Sequence, residues 1–569
     1  MSTHARPLAD WLAAASDDDL LHLFAARGVR PDSPWQDFFD AAEALLDPVS
    51  LGRILPSLTA SEATALLAAA AGLDAGPARE ALTTLALLRP DGTPYPPVIT
   101  ALAGRSAAAP PPVQEAPRSS EAASAHAAER AFTTVAVLAD LLLIARENPF
   151  ALLTGGGISA GEKRQLAEAG VSVDIVDALA TIALQAGLAV AADRRLRASR
   201  TAEDWLRSSA AERWALLATS FRDALPRGIR TEDGGWTPPE AWPFAHPWDP
   251  AWTDRSRALQ DSARLLGLIA EDGSEPDWAA DLRRGGAADA RELVRLLPSE
   301  VDRIFLQNDL TAIAPGPLEP ALDVRLRTIA ARESAAQASS YRFTSESMAH
   351  AFVAGETEQS VRDFLTSISL TGIPQPLGYL ISQTAQRHGL VRVSTDEETG
   401  RTRIESSDPH LIEAMAVDQS LRPLALTAHV ESLTTRVGRE TVCWALTDAR
   451  YPATLVGPDG ALVVRERHPA PPAPTSDAQS TDLMPLVARL RSRQGPDADA
   501  AWLDRELEAA VRAKSVLQVT VGMPDGSRRE LLLEATGIGG GRLRGRDRAA
   551  DVERTLPVSS ILAATIVAP

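Results

Sequence analysis

Residues 341–405 read YRFTSESMAHAFVAGETEQSVRDFLTSISLTGIPQPLGYLISQTAQRHGLVRVSTDEETGRTRIE. Thr344 precedes a helical run over Ser345–Val353 that Gly355 ends, and Thr357 precedes a second through Val361–Ser369. A threonine at such a position caps the helix that follows it. Pro374 opens a third helix reaching His388, and Gly389 closes it. Leu390–Ser394 and Arg401–Glu405 then alternate like strands around an acidic turn containing Gly400. Helices followed by a hairpin predict a winged-helix-like unit. On its third helix Leu377, Leu380, Ile381 and Thr384 share one face, with Ser382, Gln383, Gln386 and Arg387 towards the other. The hairpin adds Arg392, Arg401 and Arg403. Such side chains meet base edges and phosphates, so these seven are candidate nucleic-acid contacts, with ordinary solvated surface as the plain alternative.

Upstream, the same order recurs in weaker form. Helical patterns over Ala160–Ala169 and Val173–Gly187 lead into a short strand pair within Leu188–Arg197. The second of these helices exposes Asp177, Thr181 and Gln185, with no base among them. Its hairpin carries Arg194, Arg195 and Arg197, with Arg200 just beyond, and protein packing is the favoured role there. Trp205 and Trp214 follow on helical stretches as packing residues.

Pro/Ala/Ser-rich stretches punctuate the chain at 104–128 and 468–480. Few large apolar residues means too little burial to offset ordering entropy, so both read as linkers. They divide the 569 residues into an N-terminal helical domain at 1–103, a winged-helix-like helical region at 129–300, the unit quoted above at 301–467, and a C-terminal domain at 481–569. In the first, Ser16-Asp17-Asp18-Asp19 caps a leucine-rich helix, and Ser57 and Thr59 are candidate caps for another. In the last, a helix near Ala501–Lys514 is followed by short alternating strands, with the sequence Met523-Pro524-Asp525-Gly526-Ser527 as a turn. That pattern predicts a small β-barrel. Arg542, Arg544, Arg546 and Arg548 occupy alternate positions and share one face of a strand, a stripe able to grip an anion. Asp547, Asp551 and Glu553 are placed to neutralise it, so a salt-bridged surface is the competing reading. The fold class expected is mainly α, multi-domain and α+β, with winged-helix-like units in the middle and the barrel at the end.

Composition excludes several functions. The net charge of −18 argues against a protein that coats nucleic acid with its whole surface. A single cysteine, Cys443, forms no intrachain disulfide or multi-cysteine zinc site. The nine histidines are scattered, and Asp363, Asp408 and Asp418 are not at metal-loop spacing, so neither metal nor cofactor is expected. Met1–Trp11 has no apolar signal core, and no apolar run suits a membrane span. A soluble cytoplasmic protein, nucleoid association included, is the expectation. Gly156–Arg164 looks like a phosphate loop but puts Glu162 where lysine must stand, and the chain has only one other lysine, Lys514. Gly157-Ile158-Ser159-Ala160-Gly161 fits a hydrolase elbow, yet Thr154-Gly155-Gly156 is a poor strand end, and Ser159 reads more simply as a helix cap. No enzymatic activity is expected.

Residues 341–393, with Ile373-Pro374, His388-Gly389-Leu390-Val391-Arg392-Val393 and Ser407-Asp408-Pro409, resemble the N-terminal domain of XPB-type DNA repair helicases. More broadly, 130–460 resembles bacterial helicase-associated proteins common in actinobacteria, through Gln307-Asn308-Asp309-Leu310-Thr311, Pro315-Gly316-Pro317-Leu318 and Glu333-Ser334. The C-terminal block resembles a divergent WYL-type domain, with Leu543-Arg544-Gly545 where Trp-Tyr-Leu is usual. The resemblance implies an accessory module of DNA repair or transcription whose partners are DNA, an XPB-type helicase, or both. A WYL-type ligand-responsive DNA-binding regulator is the alternative, and a scaffold without nucleic-acid contact a third.

Overall fold

The computed structural model describes residues 5–107, 116–168, 170–335, 338–465, 467–473, 482–494, 498–523 and 526–567. The expected turn at 523–527 and most of the linker at 468–480 thus lie wholly or partly outside the described residues.

In the N-terminal unit, short helices from Arg6–Ala14 to Pro96–Ala101 surround one apolar core. Ser16 and Thr59 each cap the next helix, and the carboxylates of Asp19 and Glu62 reach back to complete capping boxes. Ser57 instead donates to the carbonyl of Ile54. The core is completed from far along the chain. Leu483, just before the helix Met484–Ser492, and Leu486, Val487 and Leu490 within it are buried in that core, as is Trp502. Arg491 donates to the carbonyls of Ala13 and Ala15, which end the first helix, and pairs with Asp17 at 2.9 Å. A guanidinium there meets the negative end of the helix dipole. Residues from 483 therefore belong to the N-terminal core, not solely to a C-terminal domain.

The linker expected at 104–128 is only partly one. Residues 108–115 lie outside the described residues, but Arg118 bridges to Glu275 and a 27-residue helix, Glu121–Glu147, starts behind the cap Ser120. This helix organises the large middle core, where Trp205 and Trp214 are buried. It also carries Asp140, which Arg327 (2.6 Å) and Arg332 both grip, tying the middle region to the unit after residue 300.

That unit opens with a four-stranded sheet, in the order Phe305–Leu306, Thr311–Ala314, Ser339–Arg342, Ala331–Ala335. Helices Ser345–Val353, Glu358–Ile368 and Gln375–Arg387 follow, with Thr344 and Thr357 capping the first two. Gly355 and Gly389 sit at φ +102° and +75°, where a side chain is strained. The hairpin Val391–Thr395/Thr402–Ser406 then forms as expected but does not project freely. Ser432–Thr435 pairs with its second strand, and Ala453–Val456 runs parallel to its first, so it is the centre of a six-stranded sheet. Val391, Val393 and Ile404 face a core covered by helices Pro409–Val417 and Arg439–Asp448.

The closed barrel expected at the C-terminus is not formed. Its five strands lie in the order Val552–Pro557, Arg542–Asp547, Arg528–Gly539, Val516–Gly522, Ile561–Val567, with the first and last at opposite edges. Helix Ala498–Ala513 covers one face through Leu503, Leu507 and Ala510, so the apolar side is buried without closure. Helix exceeds strand, but four sheets among the described residues make the fold mixed α/β rather than mainly α. Among the described residues no helix is long and apolar enough to cross a membrane.

Candidate nucleic-acid interface

Helix Gln375–Arg387 is held on its inner side by Leu377, Ile381 and Thr384, all buried. One flank is fixed by polar contacts. The hydroxyl of Ser382 donates to Glu358 Oε1 at 2.6 Å and accepts from Arg362 Nη2 at 2.8 Å, while the same guanidinium donates to the carbonyl of Gly378 at 3.0 Å. Ser382 is therefore engaged in fastening the helix and does not present a free hydroxyl. These bonds, the one from Ser382 first, hold the Glu358 carboxyl below its ordinary pKa.

The outer side is different. Gln383, Gln386 and Arg387 are exposed, as the sequence predicts. Two more residues join them that sequence reasoning passed over: Gln375 and Tyr379, the latter 67% exposed. The signal that would have found them is the spacing 375, 379, 383, 386, which is helical and contains no charge.

The hairpin supplies the cations. Arg392 and Arg403 lie on the outer face of the sheet, and Arg401 is half-buried beside the turn. Arg403 is paired with Glu405 at 2.8 Å. Arg387, Arg392 and Arg401 make no ion pair among the described residues. The turn between the strands carries Asp396, Glu397 and Glu398, and backbone amides, that of Glu398 first, hold the Asp396 carboxyl below its usual range. The turn itself is thus anionic at neutral pH, and Arg401 stands beside it, whereas Arg387 on the helix and Arg392 on the first strand lie away from it. His388, packed against the Phe352 ring at 5.8 Å, is pushed down by burial and stays neutral.

The arginine stripe at the other end of the chain takes the predicted geometry. Arg542, Arg544 and Arg546 are exposed while Leu543, Gly545 and Asp547 between them are buried. Its charge is partly met: Arg546 pairs with Asp551 at 2.7 Å and Arg548 with Glu534 at 3.6 Å. Asp547 turns inward to Arg554 at 2.6 Å and leaves the stripe alone. Arg542 and Arg544 remain unpaired among the described residues, opposite Gly539 and Gly537. The stripe and the hairpin arginines stand on separate sheets with separate cores.

The earlier helix exposes Asp177 and Thr181 as expected, with Gln185 half-buried, along a cleft of about 790 Å³ walled by Arg255, Leu259 and Ser262 of the helix Trp252–Leu265. Lys163 is spent on Asp177 at 2.5 Å, and Glu162 accepts from the amide of Ala151 at 3.2 Å. Arg195 donates to the carbonyl of Pro149.

Residues 304–429 match the family described as the helicase conserved C-terminal domain. The matched stretch takes in the four-stranded sheet, the three helices and the central hairpin. It marks the chain as helicase-related over those residues. No curated protein matches the chain.

Proposed function

We propose that this chain is a non-catalytic, helicase-associated protein that binds duplex DNA through a winged-helix-like unit at 345–406 and serves an XPB-type helicase or another protein of DNA repair or transcription. The observation that carries the reading is the helix Gln375–Arg387, whose outer side exposes Gln383, Gln386 and the unpaired Arg387, with the unpaired Arg392 and Arg401 on the hairpin that follows in the chain. The helicase-related match covers that same unit. Three unpaired guanidiniums within fifteen residues of a chain of net charge −18 favour local rather than general phosphate binding. The non-catalytic part of the reading is supported by the engagement of Lys163 with Asp177, which takes the one lysine near a glycine-rich loop away from any phosphate.

The test uses the purified full-length chain. Fluorescence anisotropy with a labelled 20-base-pair duplex is expected to show saturable binding that weakens steeply with salt, and an ATPase assay with and without duplex to show no sustained turnover. Absence of duplex binding at low salt refutes the DNA-binding reading and favours the scaffold. Sustained ATP hydrolysis refutes the non-catalytic one.

A further inference from the structure

The outer side of the helix Gln375–Arg387 has an unusual composition. At 100° per residue, Gln375, Gln386, Tyr379 and Gln383 fall within an arc of about 80°. The chain has 15 glutamines in 569 residues, and three of them are here. Charged residues make up 23% of the chain, yet the arc contains none. A helix face that meets water carries charged or polar side chains, and here all of them are uncharged. A face of primary amides is instead one in which every side chain offers a donor and an acceptor side by side.

We infer that this face reads adenine in the major groove, with Gln383 and Gln386 as the specificity-determining residues; the inference rests on the duplex-binding reading above. The amide of glutamine matches the N6–N7 edge of adenine, donating to N7 and accepting from the N6 amino group, whereas guanine offers two acceptors there and is met best by arginine. Gln383 and Gln386 are one turn apart on the same exposed side and make no hydrogen bond to protein among the described residues. Nothing competes for their amides. Arg387 lies about 40° beyond the end of the arc, and Arg392 and Arg401 stand on the following hairpin, so no cation occupies the place of the amides. Phosphate contacts would set the register and the amides would do the discriminating. Tyr379 extends the arc with a ring and a hydroxyl towards the start of the helix.

The experiment compares labelled 20-base-pair duplexes with a mixed A·T core, a G·C-only core, and the A·T core carrying 7-deazaadenine, which removes N7 and leaves the minor groove unchanged. All are titrated with the full chain at one low salt concentration. The expected result is a preference of roughly tenfold or more for the A·T core, abolished by 7-deazaadenine. Gln383→Ala with Gln386→Ala should lose that preference yet keep the weak, salt-sensitive binding to both cores. Equal affinity for all duplexes, or a preference that survives either the deaza base or the double substitution, overturns the adenine reading while leaving duplex binding in place. No binding to any duplex overturns the underlying DNA-binding reading, and then the amide–tyrosine face is a protein-docking surface. Both substitutions are at exposed helix positions, and a circular dichroism melt confirms that the variant is folded.

Discussion

Replacing Arg387 and Arg392 together with alanine changes the salt dependence of duplex binding by an amount that follows from the ion-pair pattern. Each phosphate neutralised by a cation contributes about −0.9 to the slope of log K against log salt. Arg387, Arg392 and Arg401 are unpaired, so one phosphate each gives a slope of about −2.7. Between 50 and 200 mM salt that is a loss of roughly 40-fold in affinity. With two arginines removed the slope falls to about −0.9 and the loss to roughly fourfold. Arg403→Ala is the internal control. Its guanidinium is satisfied by Glu405 at 2.8 Å, so its removal should alter the slope by much less than one phosphate. The assay is anisotropy at five salt concentrations on wild type and both variants. A double variant whose slope stays near that of the wild type refutes the assignment and moves the phosphates elsewhere. Arg542 and Arg544 are the next unpaired pair, and Arg542→Ala with Arg544→Ala then becomes the variant to measure.

Two further outcomes test the fold that presents this surface. Leu490, fully buried in the N-terminal core although it comes from the far end of the chain, should cost about 2–5 kcal/mol when changed to alanine. Hydrogen exchange in Arg6–Ala14 should then accelerate, and unchanged protection there would show that the helix Met484–Ser492 does not complete that core. The buried Cys443 thiol is pushed up to about 11 by desolvation. Because the native state keeps this proton while an unfolded thiol loses it near 8.5, the contribution to stability is complete below about 8.5 and lost as pH rises towards 11. Native protein should resist a thiol reagent at pH 8 and react at once in denaturant; fast native labelling would place the sulfur at the surface.

Local chemistry made much of the central unit legible. Thr344, Thr357, Pro374, Gly355 and Gly389 act within a few residues of themselves, and helices and hairpin begin and end where those residues put them. The same holds for the alternation of Arg542, Arg544 and Arg546 with buried neighbours. Ser382 was harder. Its position on the helix is the same whether its hydroxyl is free or held by Glu358 and Arg362, and only the approach of the preceding helix settles that. Gln375 and Tyr379 share the helical spacing of Gln383 and Gln386, but that spacing does not by itself tell an exposed side from a packed one, and only the structure shows this side to be open.

The C-terminal strands show where periodicity stops being informative. Alternation gives each strand one apolar face, and both a closed barrel and an open sheet under a helix bury that face equally well. The choice fell to Leu503, Leu507 and Ala510, whose helix covers the sheet.

From the amino-acid order alone come the caps, the helix limits, the strand faces, the absence of a lysine suited to a phosphate loop, and the arginines that stand near an acidic turn, since each depends on residues within a turn or two of one another. Tertiary structure alone settles which arginines are left unpaired, that the hairpin lies mid-sheet, and that Leu483, Leu486, Val487, Leu490 and Trp502 complete a core begun at the chain's other end. The last two are matters of contact between segments from about thirty to several hundred residues apart, and the free energy of such contacts is set by burial and charge pairing that no local pattern encodes.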